Sequence, residues 1–260
     1  MKIDSKYIES KLKTSFIGKS VLWFDSINTT QEIGKNLIKK EGTNGQVIGS
    51  ETMSNGYGQF NRPWFTKKYK GLYFSIILKP IYLNNFQHLK ILVAISLATA
   101  IKNVTGIKCK VKFPNDIYYN QKKIAGVLSE FINYEGIYGV VLGIGINVNT
   151  KKEDFPEEIV DKATSLSIIT DTEISREDLL IAILEQIEID YFNYIHYGFD
   201  YINKLFSEYS SNVLVGKLKN GQLIEGVYAG LTKEGYLKLK SKETNKIYVF
   251  KHGSLVALND

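Results

Sequence analysis

A single cysteine, Cys109, is present in the 260 residues, so the chain cannot by itself build a disulfide or a thiolate metal site. It lies in the alternating run Gly106-Ile107-Lys108-Cys109-Lys110-Val111-Lys112, a place for a small packing hydrophobe rather than a reactive thiol. The lysines are scattered, and neither an arginine-rich block nor a groove-reading helix stands out. A formal net charge of +6 therefore suits an acidic protein partner or a polyphosphate better than DNA. The opening Met1-Lys2-Ile3-Asp4-Ser5-Lys6 lacks a hydrophobic signal core, and no run reads as long enough to cross a bilayer. The expectation is a soluble, cytoplasmic protein with no membrane contact. Internal repeats and low-complexity segments are also missing, while 44% hydrophobic residues supply a sizeable core and exclude disorder.

Val21 to Phe24 reads as a short strand, and Thr29 or Thr30 then caps an amphipathic helix running through Ile38. A second strand from Gly45 to Ser50 leads into the glycine-bearing loop Ser54-Asn55-Gly56-Tyr57-Gly58-Gln59-Phe60-Asn61-Arg62-Pro63-Trp64. Gly71 to Leu78 suits a buried strand, and Leu89 to Val104, apolar nearly all round, a buried helix. Ile137 to Asn149 is a strand whose alternating glycines let a ligand or a neighbouring backbone come close. After a polar stretch from Thr150 to Thr172, Ser175 and Asp178 start a long helix with Leu179, Leu180, Ile183, Leu184, Ile187 and Tyr191 as core. From Asn212 the texture changes to short strands broken at Asn220-Gly221, Gly226, Gly230, Glu234-Gly235 and His252-Gly253, the rhythm of a small β-barrel.

Lys112-Phe113-Pro114-Asn115-Asp116-Ile117 is followed, after the turn Tyr119-Asn120-Gln121-Lys122, by Lys123-Ile124-Ala125-Gly126-Val127-Leu128. The turn residues already reverse the chain, which leaves Asp116 and Lys123 surplus to folding. One reading is a surface salt bridge across a hairpin, of little energetic weight. The other gives Asp116 a polar head group or an amine to hold. Lys123 then neutralises the charge that develops when an acid is activated by ATP.

Taken in order, these segments resemble the biotin protein ligases. The resemblance rests on Phe24-Asp25-Ser26-Ile27-Asn28-Thr29-Thr30, the loop ending in Arg62-Pro63-Trp64, the hairpin from Lys112 to Gly126, Gly143-Ile144-Gly145-Ile146-Asn147-Val148-Asn149, Ala163-Thr164-Ser165-Leu166 and the small β tail. It implies an α+β fold: a class II synthetase-like mixed sheet with flanking helices over residues 1–210, and an SH3-like tail over 211–260. It also implies the activation of biotin by Mg2+-bound ATP to biotinyl-adenylate, then transfer to a lysine of a biotin carboxyl carrier domain. By the same resemblance Lys123 contacts the biotin carboxylate and the α-phosphate, Asp116 orients or deprotonates the carrier amine, and Arg62 faces phosphate. Thr29 and Thr30 bind the ureido ring, one of them with a helix cap as the alternative. Asn115 holds the adenylate or the turn. Trp64 floors the adenine or the folded loop, or simply packs in the core. Gly126, Gly143 and Gly145 let backbone approach the ligand, and Met53, Gly56, Tyr57, Gly58, Gln59 and Asn147 complete the substrate contacts. No protein-held metal is expected. The residues before Phe24 are too few for a DNA-binding domain, so operator binding is not expected, and a homodimer paired through the main sheet's edge is in keeping with the family. Lipoate ligation and a non-catalytic biotin or adenylate sensor are the competing functions.

The loop departs from the family's Gly-Arg-Gly-Arg pattern. Tyr57 and Gln59 stand in place of arginines, and Met53 stands where a glutamine is usual. Each missing guanidinium removes a fork of donors from a phosphate, so the adenylate should be held less tightly. Incubation with biotin, ATP and an unrelated lysine-rich protein should therefore give more stray biotinylation than a Gly-Arg-Gly-Arg enzyme gives, and equal labelling would refute the idea.

Overall fold

A computed structural model describes residues 1–40, 42–79, 86–211, 214–218, 220–251 and 256–257. The elements run α1 (Ser5–Lys11), β1 (Val21–Phe24), α2 (Thr30–Lys39), β2 (Val47–Ser50), β3 (Leu72–Leu78), α3 (Phe86–Thr105), β4 (Lys110–Lys112), β5 (Asp116–Tyr119), β6 (Lys122–Tyr134) and β7 (Ile137–Ile146). Then come α4 (Leu166–Thr170), α5 (Arg176–Tyr197), α6 (Phe199–Tyr209), β8 (Leu214–Lys217), β9 (Leu223–Leu231), β10 (Leu237–Ser241), β11 (Ile247–Phe250) and β12 (Val256–Ala257). Seven strands form one sheet in the order β1-β2-β3-β7-β6-β5-β4. It is mixed, because β1 and β2 are parallel while the other neighbours are antiparallel. A second, antiparallel sheet of five strands, in the order β11-β10-β9-β8-β12, curls at the C-terminal end. This is the α+β class read from the sequence. The expected barrel stands as an open sheet among the described residues, and the turn expected at His252-Gly253 lies outside them.

Helix α2 packs on one face of the main sheet through two matched periods. Gln31, Gly34 and Ile38 share one side of the helix, and Gly143, Val141 and Gly139 are alternate residues of β7 on one side of the sheet. A Cβ on Gly139 would come within 2.8 Å of Ile38, one on Gly34 within 2.7 Å of Val141, and one on Gly143 within 2.9 Å of the Gln31 amide. The glycines let helix and strand close up. A small cluster of Ile38, Ile48, Ile77 and Val141 seals this side.

The large core lies on the other face, where Leu179, Leu180, Ile183, Leu184, Ile187 and Tyr191 of α5 are all buried, as their spacing predicts. Cys109 is buried in the same core, and burial pushes its thiol up to about 12. Helix α3 corrects one sequence reading, since Gln87–Thr105 is long and apolar enough to cross a membrane. Its contacts with α5, α6 and β6 bury 72% of that window, so it serves as a core helix of this fold. Two helices lay outside the sequence reading: α4 within the polar stretch, and α6, whose Asn203 Oδ1 accepts from the Leu231 N–H at 2.8 Å and the Tyr228 hydroxyl at 2.9 Å. Those bonds tie the second sheet to the helical layer.

A buried ion pair joins the N-terminus to the sheet and to α5. Glu51 accepts from Arg176 Nη1 at 2.6 Å and from the Trp23 indole and the Ile3 N–H, each at 2.8 Å. Arg176 also donates to the carbonyls of Gly71 and Met1. Both partners are nearly inaccessible, at 0% and 7% exposure, so breaking the pair strands a charge away from water. Arg176→Met should cost about 3–5 kcal/mol in urea unfolding; a loss below about 1 kcal/mol, the worth of a surface pair, would contradict this clamp.

Candidate active site

Asn120 and Gln121, both at positive φ, form the tight turn between β5 and β6. The pairing register then slips between Ile117 and Tyr118: Tyr118 faces Lys123, whereas Ile117 faces Ala125. The extra residue, Ile124, makes a bulge, a device that redirects side chains. Ile124 and Ala125 both turn into the core, and Lys123 and Gly126 both face out with Asp116. Lys123 Nζ lies 2.8 Å from Asp116 Oδ1, with about a quarter of each side chain exposed (29% and 24%). A Cβ on Gly126 would sit 3.1 Å from both groups, so this glycine makes room for the ion pair itself. The backbone of Lys123 is held in turn, its N–H donating to Lys162 O at 2.8 Å and its carbonyl accepting from Thr164 N at 3.0 Å.

The pair faces a cleft of about 580 Å³, of small-molecule size. Of the residues singled out in the sequence, Thr29, Thr30, Met53, Tyr57, Gly58, Gln59, Arg62, Trp64, Asn115, Asp116, Lys123, Gly126, Gly143, Gly145 and Asn147 all line it. Gly56 does not. Its carbonyl accepts from Trp64 N at 2.8 Å, and its missing side chain leaves space for Met53, so it shapes the loop from behind. The strand glycines act differently from the sequence reading as well. Side chains fill the space over them: Gln31 over Gly143, and Trp64 over Gly145, where a Cβ would come within 2.4 Å of the indole. Trp64 thus lies against β7 with the Lys123 ammonium 5.2 Å from its ring centroid, and its buried indole N–H has no partner among the described residues.

Thr29 is the cap of α2, accepting from Gln31 N at 3.3 Å, and Thr30 accepts from the Ser75 hydroxyl at 2.8 Å. Asn115 and Asn147 use their amide donors within the protein, on Val127 O at 2.7 Å and Thr164 O at 3.1 Å. Both therefore brace the cleft wall. In the glycine loop, Tyr57 is latched. Its hydroxyl donates to Glu130 at 3.1 Å and accepts from Lys35 at 3.1 Å, while Lys35 pairs with Glu130 at 2.6 Å. Burial pulls the Lys35 ammonium down, but the bonds to Glu130 and Tyr57 outweigh it and hold it above the usual lysine value. Gln59 opens the short 3-10 turn Gln59–Asn61, in which Phe60 and Asn61 adopt positive φ. Arg62 follows, exposed, with its guanidinium 5.7 Å from the Phe60 ring centroid.

Several lining residues escaped the sequence reading, among them Gln31, Lys112, Tyr118, Lys162 and Ala163. Lys112 and Ala163 lay inside segments already singled out, yet nothing in their own spacing gave them a role. Burial holds the Lys112 ammonium below its ordinary value, with Asp116 opposing the shift and Lys123 adding to it. The Tyr118 hydroxyl is pushed up to about 12 by burial, so it stays protonated at neutral pH. Among the described residues no group of three His, Cys, Asp or Glu side chains is placed to hold a metal ion.

The cleft gathers a lysine and carboxylate pair, the hydroxyls at the start of α2 and the glycine loop around one lining, an arrangement suited to activating an acid. The model of the Biotin/lipoate A/B protein ligase family matches residues 23–147. The bifunctional ligase/repressor BirA of Bacillus spizizenii is 32% identical over 254 residues, covering 95% of this chain and 78% of that relative. Biotin protein ligase 2 of Arabidopsis thaliana is 23% identical over 88% of this chain and 71% of its own length. Among solved structures, the biotin protein ligase from Aquifex aeolicus in complex with biotin and ATP superposes with a TM-score of 0.78. It is 27% identical and covers 92% of this chain and 100% of its own. The chain belongs to the biotin protein ligase family.

Proposed function

We propose that the protein activates biotin with ATP and transfers the biotinyl group to a lysine of a biotin carboxyl carrier domain of a biotin-dependent carboxylase. The Lys123–Asp116 pair, aimed into the cleft beside Trp64 and the α2 hydroxyls, carries this reading. In the first step a carboxylate oxygen of biotin attacks the α-phosphorus, and the bond to the departing pyrophosphate breaks. Two anions must meet, and the Lys123 ammonium offsets their repulsion, with Lys112 adding a second positive charge to the same cleft. Arg62 is the loop's remaining guanidinium for the phosphates.

In the second step the carrier amine attacks the acyl carbon of the mixed anhydride, the acyl–oxygen bond breaks, and AMP leaves with that oxygen. The amine must lose a proton, and Asp116 lies at hydrogen-bond distance from Lys123 to orient or accept it. Asp116 is the only carboxylate among the lining residues, and it is paired with Lys123. Mg2+ would come with the ATP and would offset phosphate charge there, with Asp116 the carboxylate of the lining nearest to hand. The same reading divides the chain at 210/211, supported by the end of α6 at Tyr209 and the start of the second sheet at Leu214. A carrier with acidic residues around its lysine would suit the +6 charge.

Labelled biotin, ATP and the carrier domain from the same organism test the assignment. Wild type should label the carrier, and Lys123→Ala should do so on the order of a hundredfold more slowly. Equal labelling by the two proteins would remove Lys123 from the activation step.

A further inference from the structure

The glycine loop supplies residues 57–60 and 62–65 of the cleft lining, yet it is built mostly on itself. Gly58 N–H donates to Arg62 O at 2.9 Å, Arg62 N–H to Gln59 O at 3.3 Å and Trp64 N–H to Gly56 O at 2.8 Å, closing residues 56–64 into a small hairpin. Its tip is costly. Phe60 and Asn61 both sit in the left-handed region, at φ 59° and 56°, and Phe60 is 77% exposed. Residues that carry a side chain keep that conformation only where their surroundings fix it. The Trp64 arm is seated on β7. On the other arm, the hydrogen bonds that leave residues 56–64 for the rest of the described chain are all made by one group, the Tyr57 hydroxyl.

That hydroxyl reaches the two elements that carry the rest of the site. Lys35 stands on α2, four residues after Gln31, and Glu130 on β6, four residues after Gly126. The ammonium bonds one carboxylate oxygen at 2.6 Å, and the hydroxyl donates to the other at 3.1 Å while accepting from the ammonium at 3.1 Å. Burial raises the Tyr57 hydroxyl above the ordinary phenol value, against the pull of the Lys35 bond and with the Glu130 charge adding to the rise. It therefore keeps the proton it donates at neutral pH. Hydrogen bonds to charged partners are the stronger kind, so this single tether outweighs a neutral contact. We propose that Lys35 and Glu130, neither of which lines the cleft, are positioning residues that hold the glycine loop closed over it through the Tyr57 hydroxyl. The proposal rests on the ligase reading only for the substrates whose binding the closed loop aids. The loop is in place before they arrive, and they do not have to order it.

Chymotrypsin, which cuts after aromatic residues, reads the loop in the unliganded full chain at the Phe60–Asn61 bond, with the cut assigned by mass. Wild type should be cut there slowly, and Tyr57→Phe, which keeps the ring and the Lys35–Glu130 pair, about tenfold faster. Lys35→Met should act in the same direction, and added to Tyr57→Phe it should do nothing further, because the group it served is gone. Lys35→Arg keeps a charged donor and should stay near wild type. In steady-state ligation Tyr57→Phe should raise KM for biotin and for ATP about tenfold with kcat little changed, since an open loop lowers apparent affinity by the closed fraction. Equal cutting of wild type and Tyr57→Phe would overturn the latch whatever the substrate. Faster cutting spread over the whole chain, with a lowered melting temperature, would mean a weakened fold and would overturn it too. Failure of the wild type to ligate biotin would overturn the ligase reading, while the protease comparison would still decide the latch.

Discussion

The approach of α2 to β7 rests on missing side chains, and the cleft exists because of it. Gly139, Gly34 and Gly143 each omit a Cβ that would stand 2.7–2.9 Å from the facing residue, well inside contact distance. With alanine at these places the helix would have to lift, and its first turn would carry Thr29, Thr30 and Gln31 away from the strand. Gly145 extends the same row and lets Trp64 lie down on the sheet. One strand of small residues therefore seats both the first turn of α2 and the Trp64 indole. Its spacing of two matches the helical period only along this short stretch, so the close contact falls at the cleft.

The charged half of the site depends on a bulge in the neighbouring strand. In a regular strand of the same sequence, Lys123 and Gly126, three residues apart, would point to opposite faces. The bulge brings the lysine round to Asp116 and stacks its ammonium over Trp64. A pair this exposed adds at most about 1 kcal/mol to stability. Exchanging Asp116 for a carboxylate or phosphate oxygen of the substrate therefore costs the protein little. The rigid clamp is elsewhere, in the fully buried Glu51–Arg176 pair that ties α5 to the sheet. The ion pair that stabilises the fold is thus distinct from the one that faces the cleft.

Much of this was legible in the chain because it was local. A cap at Thr29 or Thr30, the core positions of α5 and the Asp116–Lys123 hairpin announce themselves through spacing and turn residues, and the structure puts the cap on Thr29. What escaped depends on contacts across the fold. The Gln31 side chain packs over Gly143, more than a hundred positions away, and the bulge at Ile124 is visible only in strand register. The strand glycines line the cleft, but Gln31 and Trp64 lie over them where direct ligand approach was expected. Helix α6 carries only Ile202 and Phe206 as fully buried apolar residues, which gave its periodicity little weight. Helix α3 was the reverse case, so apolar that its length and composition fit a bilayer as well as a core.

Acid activation at the Lys123 cleft is the central claim, and isotope exchange between labelled pyrophosphate and ATP reads that step without any carrier protein. Exchange that appears with biotin, and far more weakly with lipoate, is the result this account requires. Exchange driven by lipoate alone, or no exchange with biotin while biotin still stabilises the protein against heat, would contradict it.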